Sequence, residues 1–177
     1  MPSISGFRPL SKRPLDLLLT IFFAVHIPTS LLIDGQAVLP KWLTLDSART
    51  ALAWFVAWSG DPLMGPIGRG VIPWFDGFAW CELLFQVPFF FYLCNGLIKD
   101  DPKIREASIF YCGHVMTTLV PVLSTFAYST TLSVSQKSIL TAIYLPYFLV
   151  PLVLLYRMTI GFEKWRLPGA KHPDKTE

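Results

Sequence analysis

Two carboxylic acids stand inside sequence that is otherwise apolar. Glu82 lies within FAWCELLFQVPFFFYLCNGLI, and Asp34 closes LDLLLTIFFAVHIPTSLLI. Ionisable groups in such surroundings are costly and tend to face a partner, a cavity or a bundle interior. Glu82 and Gln86 are four residues apart, so a helix presents both on one face. Counted from Pro73 at about 1.5 Å per residue, Glu82 sits roughly 13 Å into its segment. At that depth a carboxyl group is held either neutral or paired, because a low dielectric penalises a lone charge. A hydrogen bond to a neighbouring helix would satisfy Glu82 as well as a ligand would. Asp34 also has two readings. It is a helix-end acid wetted by headgroups, or, since apolar sequence continues through Ala37, Val38 and Leu39, it lies within a helix that runs a turn further.

Other polar side chains accompany these acids. His26 precedes Pro28, which removes a backbone donor and kinks its helix; the imidazole either satisfies a carbonyl or joins a site. His114, Thr117 and Thr118 are spaced to share one side of a helix, and at least one threonine is expected to bond its own backbone. Tyr144 and Tyr147 bracket Pro146, as interfacial belt residues or as a pocket wall. Asp61 sits in a Gly-Asp-Pro turn, where aspartate is common for local hydrogen bonding alone. Counted from their helix ends, Asp34, Glu82, Tyr144 and Tyr147 all fall in the exoplasmic half. A helix bundle can collect them in one aromatic-lined, largely apolar cavity, which suits a hydrophobic ligand with a polar or cationic end. Metal, nucleophile and phosphate chemistry are not expected. His26, His114 and His172 show no paired ligand spacing, and there is no GxGxxG or P-loop pattern. Cys81, Cys94 and Cys112 suggest no disulfide framework, and no cofactor is expected.

The elements that position these groups follow from composition. Of 177 residues, 53% are hydrophobic and 15% charged, against about 25% charged in average soluble domains. So much apolar side chain on a short chain cannot be hidden from water. Disorder is excluded, because it needs low hydrophobicity and high charge. The expected fold class is an all-α membrane protein: one domain over 1–177, a four-transmembrane-helix bundle with spans at about 14–33, 74–98, 107–128 and 138–156. The tails are 1–13 and 157–177. The first span resembles a signal peptide in its basic flank, but His26, Pro28 and the lack of a small-residue cleavage site argue against removal.

Eleven of the 15 lysines and arginines fall in the N-terminal tail, the loop between spans two and three, and the C-terminal tail; Lys41, Arg49, Arg69 and Lys137 fall opposite. The positive-inside rule therefore puts both termini in the cytosol. The modest net charge of +3 reads as this loop bias and not as a nucleic-acid footprint. Between spans one and two, DSARTALAWFVAW reads as a short exoplasmic helix of about three turns, capped by Asp46 or Ser47, with Trp42, Trp54 and Trp58 at the interface. SGDPLMGPIGRGVIP must be an irregular loop. The link of about eight residues between spans two and three makes those helices antiparallel neighbours.

With these residues laid out, the sequence resembles the sigma-2 receptor family, in the EXPERA-domain group that also holds the sterol isomerase emopamil-binding protein. The resemblance rests on HIPTSLLIDGQAVLP (His26 to Pro40), DPL (Asp61 to Leu63), CELLFQVPFF (Cys81 to Phe90), HVMTTLVPVLSTF (His114 to Phe126) and YLPY (Tyr144 to Tyr147), in family order across all four spans. It implies a four-helix bundle, a homodimer in the endoplasmic reticulum membrane, and an occluded cavity for sterols, other lipids and cationic amphiphilic drugs. Asp34 would be the counter-ion of a ligand amine. Asp61 would fold in and hydrogen-bond to Asp34. Glu82, Gln86, Thr117 and Tyr147 would line the cavity.

The implied function is a non-enzymatic receptor in sterol homeostasis or intracellular sterol transport. Two alternatives are a Δ8-Δ7 sterol isomerase and a trafficking chaperone for a sterol transporter. Isomerisation needs an acid and a base. Where the isomerases carry a His-x-x-x-Glu face on span two, this chain has Glu82-x-x-x-Gln86, and an amide is a poor acid or base. The C-terminal KHPDKTE also departs from the family's lysine-rich retrieval signal.

Overall fold

A computed structural model describes residues 8–65 and 70–161. Four helical stretches in it are long and apolar enough to cross a membrane: Pro14–Ala37, Pro73–Lys99, Ile104–Tyr128 and Val134–Met158. The described residues contain no strand.

The first span is helix α1 (Pro14–Leu32) followed by a 3₁₀ turn over Asp34–Ala37. The chain thus continues past Asp34, as the apolar Ala37–Leu39 run allows, and the acid is not at a free helix end. Helix α2 (Asp46–Ser59) follows. Its N-cap is Leu45, and neither Asp46 nor Ser47 caps it. Asp46 instead sits in the first turn, where a carboxylate complements the helix dipole, and pairs with Arg49 one turn on. Arg49 also donates to the Lys41 and Thr44 carbonyls, which folds the preceding segment against the helix. Trp42 and the stacked pair Trp54 and Trp58 are exposed. Gly60, at φ +71°, ends α2 in a left-handed turn that a side chain would strain. Asp61 then caps the next turn, accepting from the Leu63 and Met64 amides at 2.8 and 3.0 Å.

The second span is α3 (Pro73–Cys81), one π turn over Glu82–Gln86, and α4 (Val87–Lys99). Pro88 has no N–H to offer the ladder, and the wide turn lies immediately before it. The third span is α5 (Ile104–Tyr128). The fourth is α6 (Val134–Tyr144) and α7 (Pro146–Met158), broken where Pro146 interrupts the ladder. Span four begins four residues earlier than hydropathy delimits. Ser133 and Gln136 form a reciprocal capping box, so polar residues start an otherwise apolar helix.

Helix α1 packs chiefly on α4, and α5 on α7. One core cluster, including Phe23, Phe90, Leu93, Tyr111, Val115 and Leu154, fills the end of the bundle where α1 begins and α7 ends. A second, of Leu63, Val122, Phe126 and Leu140, fills the end nearer α2. Leu119 packs against both, at the level of a cavity between them.

At the terminal end the structure buries a charge cluster. Asp16 accepts from Arg13 at 2.7 Å and from Arg157 at 2.9 and 3.3 Å, and all three side chains are almost fully buried. Arg13 also reaches Asp100 and the Ile98 carbonyl. Spans one and four are thus joined at this end to the link between spans two and three. Arg69, His172 and the tail bases Lys164, Arg166, Lys171 and Lys175 lie outside the described residues.

Candidate functional site

All four spans contribute to a cavity of about 230 Å³. Its walls are mostly apolar and aromatic: Phe55 from α2, Phe75 and Phe78 from α3, Val115 and Leu119 from α5, and Ile143 from α6. Its polar groups are few. His26, Thr29 and Asp34 come from span one, Glu82 and Gln86 from the π turn, Thr118 from span three, and Tyr144 and Tyr147 from span four.

Local helix geometry explains the grouping. His26, Ser30 and Asp34 recur every four residues, so they lie along one face of span one. Glu82 faces them. The Ser30 hydroxyl donates to Glu82 Oε1 at 2.5 Å, and His26 Nε2 lies 3.5 Å from the same oxygen. Ligating atoms of His26, Asp34 and Glu82 all lie within 4.8 Å of one another. Two carboxylates this close repel each other in a low dielectric, so the pair offers a bound cation a favourable place. The His26 ring stacks on Phe90 at 4.8 Å and packs on Tyr147 at 4.7 Å. Residue 26 is therefore fixed by rings on two other spans. Gln86 is buried and hydrogen-bonds to no described residue, so its amide is free to meet a ligand.

Three of the expected site residues are placed differently. Thr117 is exposed on the outer side of α5 and donates to the Gly113 carbonyl at 2.7 Å; its neighbour Thr118 is the one that lines the cavity, and it too bonds its own helix, at Val115. A residue one position along a helix turns by about 100°, which separates the two. His114 does not line the cavity, and its Nε2 is buried without a hydrogen-bond partner. Asp61 is 2% exposed and stands behind the wall. It makes no hydrogen bond to Asp34. Its Oδ1 takes two backbone amides and its Oδ2 accepts from the Tyr144 hydroxyl at 2.6 Å. Tyr144 lines the cavity, so Asp61 reaches the site through that phenol.

Sequence reasoning missed Ser30, although its place midway between His26 and Asp34 at four-residue intervals marks it. It also missed the wall supplied by α2 and the following turn, Phe55 and Met64, which carries no polar signal. Asp16 was missed as well; an acid two residues inside the first span beside Arg13 was its only sign.

Comparison with known proteins gives concordant results. The family model EXPERA, the expanded EBP superfamily, matches residues 48–158. Sigma intracellular receptor 2 of Macaca fascicularis is 37% identical, over 94% of this chain and 96% of that protein. The Homo sapiens protein of the same name is 36% identical over the same shares. The Saccharomyces cerevisiae protein named efficient mitochondria targeting-associated protein 19 is 28% identical, over 76% of this chain and 91% of that one.

Proposed function

The chain belongs to the EXPERA family, among the sigma intracellular receptor 2 proteins, and from that premise we propose that this multi-pass membrane protein is an intramembrane receptor for sterols or other lipids and for cationic amphiphiles. The observation that carries this reading is the cavity itself: apolar walls about 230 Å³ in volume, with Asp34 and Glu82 together at one polar end. An amphiphile's hydrocarbon part is suited to Phe75, Phe78, Leu119 and Ile143. Its protonated amine is suited to the acid pair, with the Tyr147 ring beside it for cation–π support. The same reading extends to a homodimer of the endoplasmic reticulum membrane acting in sterol homeostasis or intracellular sterol transport, with a sterol transporter as a further partner; its support is the family alone.

Asp34 is the proposed counter-ion. Removing one partner of a buried ion pair costs about 3–5 kcal/mol, because the other charge is left uncompensated. Asp34→Asn keeps the side-chain volume, so amine affinity should fall by about two orders of magnitude or more. A neutral sterol has no ammonium group and should lose much less. Asp61→Asn should weaken amine binding less than Asp34→Asn, since Asp61 acts through Tyr144. Radioligand displacement by an amine and by a neutral sterol, on each variant, measures this. Equal losses for both ligands would mean a disturbed fold, and undiminished amine binding in Asp34→Asn would remove Asp34 from the role.

A further inference from the structure

We infer that the polar end of the cavity is also a divalent-cation site, with Zn²⁺ its best-matched ion and His26, Asp34 and Glu82 as ligands. The inference rests on the reading of this cavity as a binding site and concerns what else competes for it. No pair of these residues has metal-ligand spacing along a single helix motif, which is why sequence spacing alone predicts no metal. The two spans nonetheless bring one imidazole nitrogen and two carboxylate oxygens within 4.8 Å of one another.

Three observations point to a metal. The first is charge: the described residues that line the cavity include two carboxyl groups and no lysine or arginine, so a dication balances the site where an ammonium balances half of it. The second is His26. Its side chain is 8% exposed and lines the cavity; Nδ1 is buried without a hydrogen-bond partner, and Nε2 faces Glu82 Oε1 at 3.5 Å. At 3.5 Å the Nε2 contact is at the outer limit of a hydrogen bond, so this nitrogen is turned toward the acid pair but weakly held, and a metal bond would satisfy it. The third is geometry: the 3.5 Å between His26 Nε2 and Glu82 Oε1 is close to the edge of a zinc tetrahedron, about 3.4 Å for bonds near 2.1 Å. One imidazole with two carboxylates suits zinc better than calcium or magnesium, which take all-oxygen sets. Three protein ligands leave a fourth position open. The Ser30 hydroxyl, bonded to Glu82, would hold that carboxylate in place.

Co²⁺, which reports tetrahedral coordination by its visible absorption, is the probe. The full chain in lipid nanodiscs is titrated with Co²⁺, then with Zn²⁺, and then with a hydrophobic tertiary amine; thermal melting of each variant confirms folding. One equivalent of Co²⁺ should give an intense visible band that Zn²⁺ removes and the amine displaces. His26→Gln and Glu82→Gln should abolish the band. Ser30→Ala keeps all three ligands and should weaken Zn²⁺ binding about tenfold. A protein that binds the amine but gives no Co²⁺ band would overturn the metal site and leave the receptor reading intact. A band indifferent to His26→Gln and Glu82→Gln in folded variants would overturn it too. A Co²⁺ band without amine binding would sustain the metal site and defeat the receptor reading instead.

Discussion

Glu82 is the residue whose surroundings most change its meaning. On its own helix it has Gln86 four residues on, and an amide neither gives nor takes a proton readily. Across the helix boundary it has His26 at 3.5 Å and Asp34 within 4.8 Å. A histidine and an acid thus do stand beside Glu82, contributed by span one and not by span two. This is the observation that favours an isomerase, and it meets an obstacle. Ser30 already donates to Glu82 Oε1, and His26 is clamped between Phe90 and Tyr147, so the two groups are fixed 3.5 Å apart at one point of the cavity wall and not at two separated points. Double-bond migration needs an acid and a base placed on two different ring carbons. The purified protein should therefore leave a Δ8 sterol unconverted over hours, as measured by chromatography of the sterol products. Turnover to the Δ7 isomer that vanishes in Glu82→Gln would make the protein an enzyme. At this scale the sequence was informative where a polar residue interrupts an apolar run: His26, Asp34, Glu82, Gln86, Tyr144 and Tyr147 all line the cavity. It was uninformative between adjacent threonines, since Thr117 and Thr118 have the same chemistry and only helix rotation separates them.

The helices themselves were legible because apolar runs of about 20 residues have few other uses. Their irregularities were less so. Pro28, Pro88, Pro121, Pro146 and Pro151 mark every span, but a proline does not say whether the chain answers with a kink, a π turn or a break. Here Pro88 follows a π turn and Pro146 follows a break, and both places supply cavity residues. Asp16 shows a different limit. Arg13 and Arg157 read as tail charges facing the cytosol, whereas the fold buries both around one carboxylate. Asp16→Asn removes the anion that two guanidinium groups share inside the protein. Breaking a buried pair from one side costs about 3–5 kcal/mol, so Tm in detergent should fall by roughly 6–20 °C. Asp46→Asn removes an ion pair of the exposed α2 surface and should leave Tm unchanged. Equal Tm values for the two variants would mean that the buried cluster contributes no stability.

The whole molecule is a bundle whose two ends have opposite characters, and this bears on how it sits in a bilayer. One end carries the Arg13–Asp16–Arg157 cluster and the short link Asp100–Lys103; the other carries α2, with exposed Trp42, Trp54 and Trp58. Because Asp16 bonds Arg157, the start of span one and the end of span four lie at the same end, and both tails must leave on the same side. Which side is decided by charge. Eleven of the 15 lysines and arginines belong to the tail end. Leaving out Arg13 and Arg157, which are occupied with Asp16, nine remain against four, so the bias survives their burial. The tails are expected in the cytosol and α2 in the lumen. Acceptor sites for N-glycosylation, placed in turn in each tail and in the loop after α2, measure this. The loop site should be modified and neither tail site should be. Modification of both tails but not the loop would invert the orientation and put the acid pair nearer the cytosolic leaflet. Modification of one tail alone would be incompatible with four spans, and with the ion pair that fastens the two ends of the chain together.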